Sequence, residues 1–233
     1  MSSIPANLQI VCSRIARAVQ DAGRAVDSVT LLAVSKTFPP DAVRAAAVSG
    51  QRAFGENYVQ EALDKIAALH DLNLEWHFIG PIQSNKTRAI AEHFDWVHGV
   101  ERDKIARRLA DARPAGLPPL QVCIQVNVSG EASKSGVAPD ALTALAEQVA
   151  VLPRLQLRGL MAIPEPTPDA SLRRARFSLL RDLKDDLVSR GHVLDTLSMG
   201  MSDDLEDAIV EGATMVRVGT AIFGRRGMEI VRR

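Results

Sequence analysis

The sequence predicts a single (β/α)8 barrel of the α/β class, eight parallel strands with helices between them and one extra helix ahead of the first strand. Three observations carry that prediction. Short apolar, β-branched runs alternate with longer stretches of helical period; eight such strand runs can be counted; and the 233 residues contain no stretch that reads as a linker. Strands joined through single helices run parallel, and eight such units suffice to close a barrel. An open, doubly wound sheet is the alternative that the pattern leaves standing.

In chain order, the first element is a helix. Leu8, Val11, Ile15, Ala18 and Val19 recur at helical spacing and make one apolar face. The same segment lacks the apolar centre of a signal peptide and any run of about 18 apolar residues that would span a bilayer. Strands are then predicted over 29–35, 52–55, 74–79, 96–100, 120–128, 155–163, 194–198 and 215–219. Helices are predicted over 40–49, 59–69, 86–93, 103–112, 138–151, 171–190 and 203–211. The proline-rich stretch 164–168 (PEPTP) reads as a rigid surface turn.

Apolar residues make up 46% of the chain and charged ones 24%, which argues for an ordinary packed core and against disorder. Basic and acidic residues balance at 28 each and are spread over many segments, so the footprint of a nucleic-acid binder is missing. The C-terminal cluster Arg225, Arg226, Arg232 and Arg233 reads as a solvated tail able at most to attract one anionic group. Cys12 and Cys123 form neither a disulfide framework nor a metal motif, which fits a reducing cytoplasm and makes both packing residues. A closed barrel leaves no strand edge open, so a monomer is expected, with neither membrane nor nucleic acid as partner.

In an α/β barrel the working groups stand at the C-terminal ends of the strands. The first strand ends in Lys36, whose amine at the barrel mouth, once desolvated, could attack an aldehyde to form an imine. A lysine ending a strand and reaching into water is the equally open alternative. After the seventh strand, Ser198 to Asp204 lead directly into a helix, with Ser202 placed as its N-cap and Gly200 allowing close approach. After the eighth come Gly219 and Thr220, and barrels often build phosphate sites from these two loops. Plain helix capping by Ser202 would account for the first of them equally well.

Arg217, between Val216 and Val218, should point into the barrel and must find a partner there. Asn57 and Tyr58, His77, Gln83, Ser84 and Asn85, and Asn127 are predicted near the same rim. Each alone is explained by capping, turn formation or a satisfied core histidine; their convergence on one face carries the weight.

The motifs LLAVSKT, FGENYVQE, LEWHFIGPIQSNK, NVSGEASKSG, LRGLMAI, LSMGMSDDLEDAI and MVRVGTAIFG follow one another in order over nearly the whole chain. In them the sequence resembles the pyridoxal phosphate homeostasis proteins, a family of alanine-racemase-like single barrels. The resemblance implies pyridoxal 5′-phosphate (PLP) as cofactor and Lys36 as its imine lysine. It implies that Ser198, Ser202, Gly219 and Thr220, with nearby backbone amides, hold the phosphate, that Arg217 faces the pyridine nitrogen, and that Asn57 and Met161 line the ring. It further implies binding, storage or delivery of PLP, with free amino acids and PLP-dependent apoenzymes as partners. Phe38 and the arginine-rich tail stand where the resemblance would place more lysine, which puts any second, lysine-dependent cofactor site in doubt.

Arginine does not give up its proton, so an arginine facing the pyridine nitrogen weakens the ring as an electron sink. The expected function is therefore a non-catalytic PLP-binding protein. The alternatives are a PLP-dependent amino-acid racemase using Tyr58, the one tyrosine of the chain, or water as second base, and a Schiff-base aldolase acting on a phosphosugar, which would hold no coloured cofactor.

Overall fold

Ser3 caps the first helix, α1 (Ile4–Asp21), accepting from the amide of Ala6, and Pro5 occupies a first-turn position where a missing N–H costs nothing. The computed structural model describes residues 3–131 and 135–224, so the basic cluster at Arg225, Arg226, Arg232 and Arg233 lies outside the described residues. Eight strands follow: β1 (Thr30–Val34), β2 (Ala53–Glu56), β3 (Glu75–Phe78), β4 (Trp96–Val100), β5 (Leu120–Gln125), β6 (Leu155–Met161), β7 (Thr196–Ser198) and β8 (Met215–Val218). The helices between them are α2 (Pro40–Val48), α3 (Val59–Ala68), α4 (Thr87–His93), α5 (Asp103–Ala112), α6 (Leu142–Ala150), α7 (Ala170–Ser189) and α8 (Leu205–Val210). A short α9 (Thr220–Phe223), absent from the sequence-based expectation, follows β8.

Each strand pairs parallel to the next, and β8 pairs with β1, with Val218 opposite Ala33. The barrel is closed, which removes the doubly wound alternative. All eight predicted strands appear, the fourth over its predicted span and the others with shifted ends. The fifth stops at Gln125 because the Asn127 side chain bends the following loop, accepting from the amide of Gly130 and donating to the carbonyl of Glu131. The sixth stops at Met161, three residues short of Pro164, which has no N–H to donate to a ladder. Ser202 is not the cap of α8. Asp204 holds that position, and its carboxylate accepts from the amide of Met201 at 2.6 Å, drawing 201–204 into a turn that delays the helix to Leu205.

Alternation along the strands divides the core. Outward residues such as Ala33, Phe54, Val97, Ile124, Leu197, Val216 and Val218 join the helices in one continuous apolar cluster. Inside the barrel the apolar groups fall into two smaller sets: Leu32, Val34, Ala53, Ile79 and Met215, and Trp96, Cys123 and Met161. Between them lie buried polar side chains: His77, His98, Ser198 and Arg217.

Candidate functional site

Lys36 follows β1 and is half-buried at the C-terminal mouth. Its neighbours are held on both sides. Lys65, almost fully buried on α3, donates to the carbonyl of Ser35 and to Glu56 Oε1, both at 2.7 Å, and to Glu61 Oε1. Ser35 Oγ donates to the same Glu56 oxygen at 2.6 Å. Thr37 takes a left-handed conformation (φ 69°), uncommon for a β-branched residue, and its amide donates to Glu61. One buried ion-pair cluster thus fixes the turn that carries Lys36. Burial pushes the Glu56 carboxyl above its ordinary range, opposed by Lys65 and Ser35. None of Glu56, Glu61 and Lys65 was singled out from sequence; the available signal was Lys65 four residues after Glu61, on the face of a helix that otherwise packs inward.

Gly219 brings the end of β8 against that of β1: a Cβ there would stand 3.0 Å from the carbonyl oxygen of Val34. Thr220, exposed, opens α9, and the first-turn amides of a helix have no intrahelical acceptor. Gly200, with φ 91°, lets the loop after β7 lie on α8, where a Cβ would meet that of Ala208 at 2.5 Å. Ser202 is half-buried in that loop. Asn57 sits at the end of β2 with its Oδ1 buried and without a hydrogen-bond partner. The helix start after β8, the glycine approaches and that orphan acceptor together fit a phosphorylated, hydrogen-bonding ligand at this mouth.

Deeper in the barrel, Arg217 is buried as its alternation requires. No carboxylate bonds to it among the described residues. Its Nη1 donates to the carbonyl and hydroxyl oxygens of Ser198, and its Nη2 donates to the carbonyl of Ala162 at 2.8 Å. Burial pulls its pKa down to about 10, partly offset by the field of Asp204, so the guanidinium stays charged at neutral pH. The Ser198 hydroxyl is shared between Arg217 and His98, beneath the rim rather than on it. Met161 is fully buried against Trp96 and Cys123. Of the other predicted rim groups, Tyr58 is exposed, Gln83 and Asn85 lie on the surface, and the amide of Asn127 is used in its own loop. His77 is fully buried on β3 and joined to His98, which sequence reasoning did not single out.

The family profile described as alanine racemase, N-terminal domain, matches residues 10–227, and the chain belongs to that class of barrel. Among characterised relatives, the pyridoxal phosphate homeostasis protein of Pseudomonas aeruginosa is 66% identical over 226 residues, covering 97% of each chain. That of Escherichia coli (strain K12) is 53% identical over 232 residues, covering 97% of this chain and 98% of the relative. Within the class, the chain belongs to the pyridoxal phosphate homeostasis protein family. The solved structure of PipY from Synechococcus elongatus with PLP bound has a TM-score of 0.80 and 41% identity, and covers 90% of this chain and all of that one. Alanine racemase from Corynebacterium glutamicum matches at a TM-score of 0.67 with 17% identity, a likeness of fold alone.

Proposed function

We propose that the chain binds PLP at the C-terminal mouth of the barrel as an imine on Lys36 and serves intracellular PLP homeostasis as a carrier rather than as a catalyst. The reading rests above all on Arg217: a buried donor, charged at neutral pH, anchored by Ser198 and Ala162 on the strand beside β1, which Lys36 follows. PLP supplies an aldehyde that condenses with amines and a ring that can accept electrons from a substrate carbon. Arg217 would offer the ring nitrogen a hydrogen bond but no transferable proton, which limits that electron-accepting role. The ion-pair cluster around Glu56 and Lys65 orients the Lys36 turn. Ser202, Gly219, Thr220 and the adjoining amides would hold the phosphate, with Ser198 beneath them fixing Arg217. Asn57 and Met161 would flank the ring. The named relatives and the PLP-bound PipY structure support this assignment.

Free amino acids and PLP-dependent apoenzymes are the partners that an exchangeable imine would meet. With no open strand edge in the barrel, a single copy in the cytoplasm suffices for this role. No helix among the described residues is long and apolar enough to cross a membrane.

The test is the absorption spectrum of the purified protein and of Lys36→Ala, before and after borohydride. A visible band in the wild type, fixed by reduction and absent from the variant, is expected. No band after PLP is added would overturn the cofactor assignment, and robust racemisation of an amino acid by the pure protein, lost in Tyr58→Phe, would overturn the carrier reading.

A further inference from the structure

Four hydrogen bonds run through the barrel between its two mouths, linking side chains from β8, β7, β4 and β3. Arg217 Nη1 lies 2.8 Å from Ser198 Oγ, which lies 2.8 Å from His98 Nδ1. His98 Nε2 is 3.0 Å from His77 Nδ1, and His77 Nε2 is 2.7 Å from Glu75 Oε1. Both histidines, the serine and the arginine are buried, whereas the side chain of Glu75 is 48% exposed. It opens into a cleft at the N-terminal ends of the strands, lined also by Arg52, Asp95, Arg113 and Gln121.

We propose that Glu75, His77, His98 and Ser198 are positioning residues for Arg217, forming a one-way chain of hydrogen bonds whose terminal negative charge stands at the opposite mouth of the barrel. The proposal rests on the reading of Arg217 as the group that meets the cofactor ring.

Proton counting fixes the direction. An ionised carboxylate only accepts, so the proton on His77 is on Nε2, facing Glu75. A neutral imidazole carries one proton, so His77 Nδ1 is bare and accepts from His98 Nε2–H. His98 Nδ1 is bare in turn and accepts the hydroxyl proton of Ser198. The serine oxygen is then left with its lone pairs for Arg217, which only donates. Every link points from the guanidinium towards Glu75, and both rings take the Nε2–H tautomer.

The surroundings hold the rings neutral. Burial lowers the pKa of His77, with Glu75 and Asp95 opposing, and lowers that of His98 well below the ordinary value, reinforced by His77 and Arg217. Trp96 stacks on His77 at 5.4 Å, and Cys123 lies in the same interior layer. Arg158, reaching from β6 over Trp96 and paired with Asp195, adds a cation near Glu75. Glu75 itself is held ionised by its bond to His77.

The arrangement separates charge from contact. A carboxylate bonded directly to Arg217 would occupy donors that a ring nitrogen needs. Placed at the far mouth, the same charge acts through oriented dipoles and leaves the cofactor side of the guanidinium open.

Nitrogen-15 spectra of histidine-labelled, full-length protein at neutral pH test the direction. The Nε2–H tautomer on both His77 and His98 is expected. An Nδ1–H or doubly protonated ring at either position would overturn the proposal. Glu75→Lys, at a half-exposed site, replaces the terminal acceptor by a donor. It is expected to drive both rings to Nδ1–H and to shift the pH midpoint of the visible PLP band by about half a unit or more. Asp95→Asn, in the same cleft but outside the chain, should leave the His98 tautomer unchanged. A switch confined to His77, with the His98 tautomer and the band profile as in wild type, would sink the relay. Absence of any band from wild type with PLP would instead remove the cofactor reading, and the ring tautomers would then decide the chain on their own.

Discussion

His77 and His98 are fully buried bases whose protonation the folded barrel resists. Their folded pKa values lie below the ordinary histidine value of about 6.5, so below that pH the unfolded chain binds more protons than the folded one. Stability contributed by these residues is therefore present above about pH 6.5 and is lost as the pH falls, by up to about 1.4 kcal/mol per pH unit for each ring. Urea midpoints measured at pH 7 and pH 5 should drop by an amount corresponding to roughly 2 kcal/mol. A flat profile would mean that the rings take up protons in the native state as readily as in the unfolded chain. Lys65→Met would leave Glu56 and Glu61 without their cation and should destabilise the protein by about 3–5 kcal/mol, measurable in the same denaturation curves. At this scale the sequence was informative where a charge stood within or just after an apolar strand: Arg217 is buried as its alternation predicts, and Lys36 follows β1 at the mouth. The histidine chain was hidden, because the partner of His98 lies 100 positions away and nothing local marks the pairing.

The eight strands and the helices before and between them were legible from period, but not α9 nor most of the ends, which Asn127, Pro164 and the Asp204 turn set; nor does periodicity show a change of register. Between β5 and β6 the pairing slips, with Val122 opposite Leu157 but Cys123 opposite Gly159, leaving Arg158 as the additional residue. The slip turns Arg158 over Trp96 and into its bonds with Gln121 and Asp195 near the N-terminal mouth. It also presses Gly159 so closely against β7 that a Cβ would sit 1.8 Å from the carbonyl oxygen of Thr196. Gly159→Ala must therefore push β6 and β7 away from each other and should cost about 3 kcal/mol or more. A melting temperature within a degree or two of wild type would contradict that packing. The turn holding Ser202 escaped sequence reading for a related reason: serine and aspartate both make good caps, and only the bond from Met201 to Asp204 decides between them.

Over the whole molecule, closure of the barrel and the polar seam inside it follow from the same alternation, yet only closure could be counted from the sequence. The helix outside the eightfold pattern, α1, packs its apolar face on α2, α8 and α9. Its polar residues go further. Arg14 donates to the carbonyl of Ser202 and pairs with Glu206, Asn7 donates to the carbonyl of Ile222, and Arg24, just beyond the helix, bonds the carbonyls of Ile209 and Ala213 at the C-terminal end of α8. The two loops proposed to hold the phosphate thus share one external brace. Linkage then works in both directions: a ligand that requires those loops in place stabilises the docked helix, by about 2.7 kcal/mol when present at a hundredfold excess over its Kd. Deuterium uptake in residues 4–21 should slow on addition of PLP, although none of them is proposed to touch it, and identical uptake with and without PLP would break that connection. Read in this way, the outermost helix is an occupancy gauge, recording on the surface whether the mouth of the barrel is full.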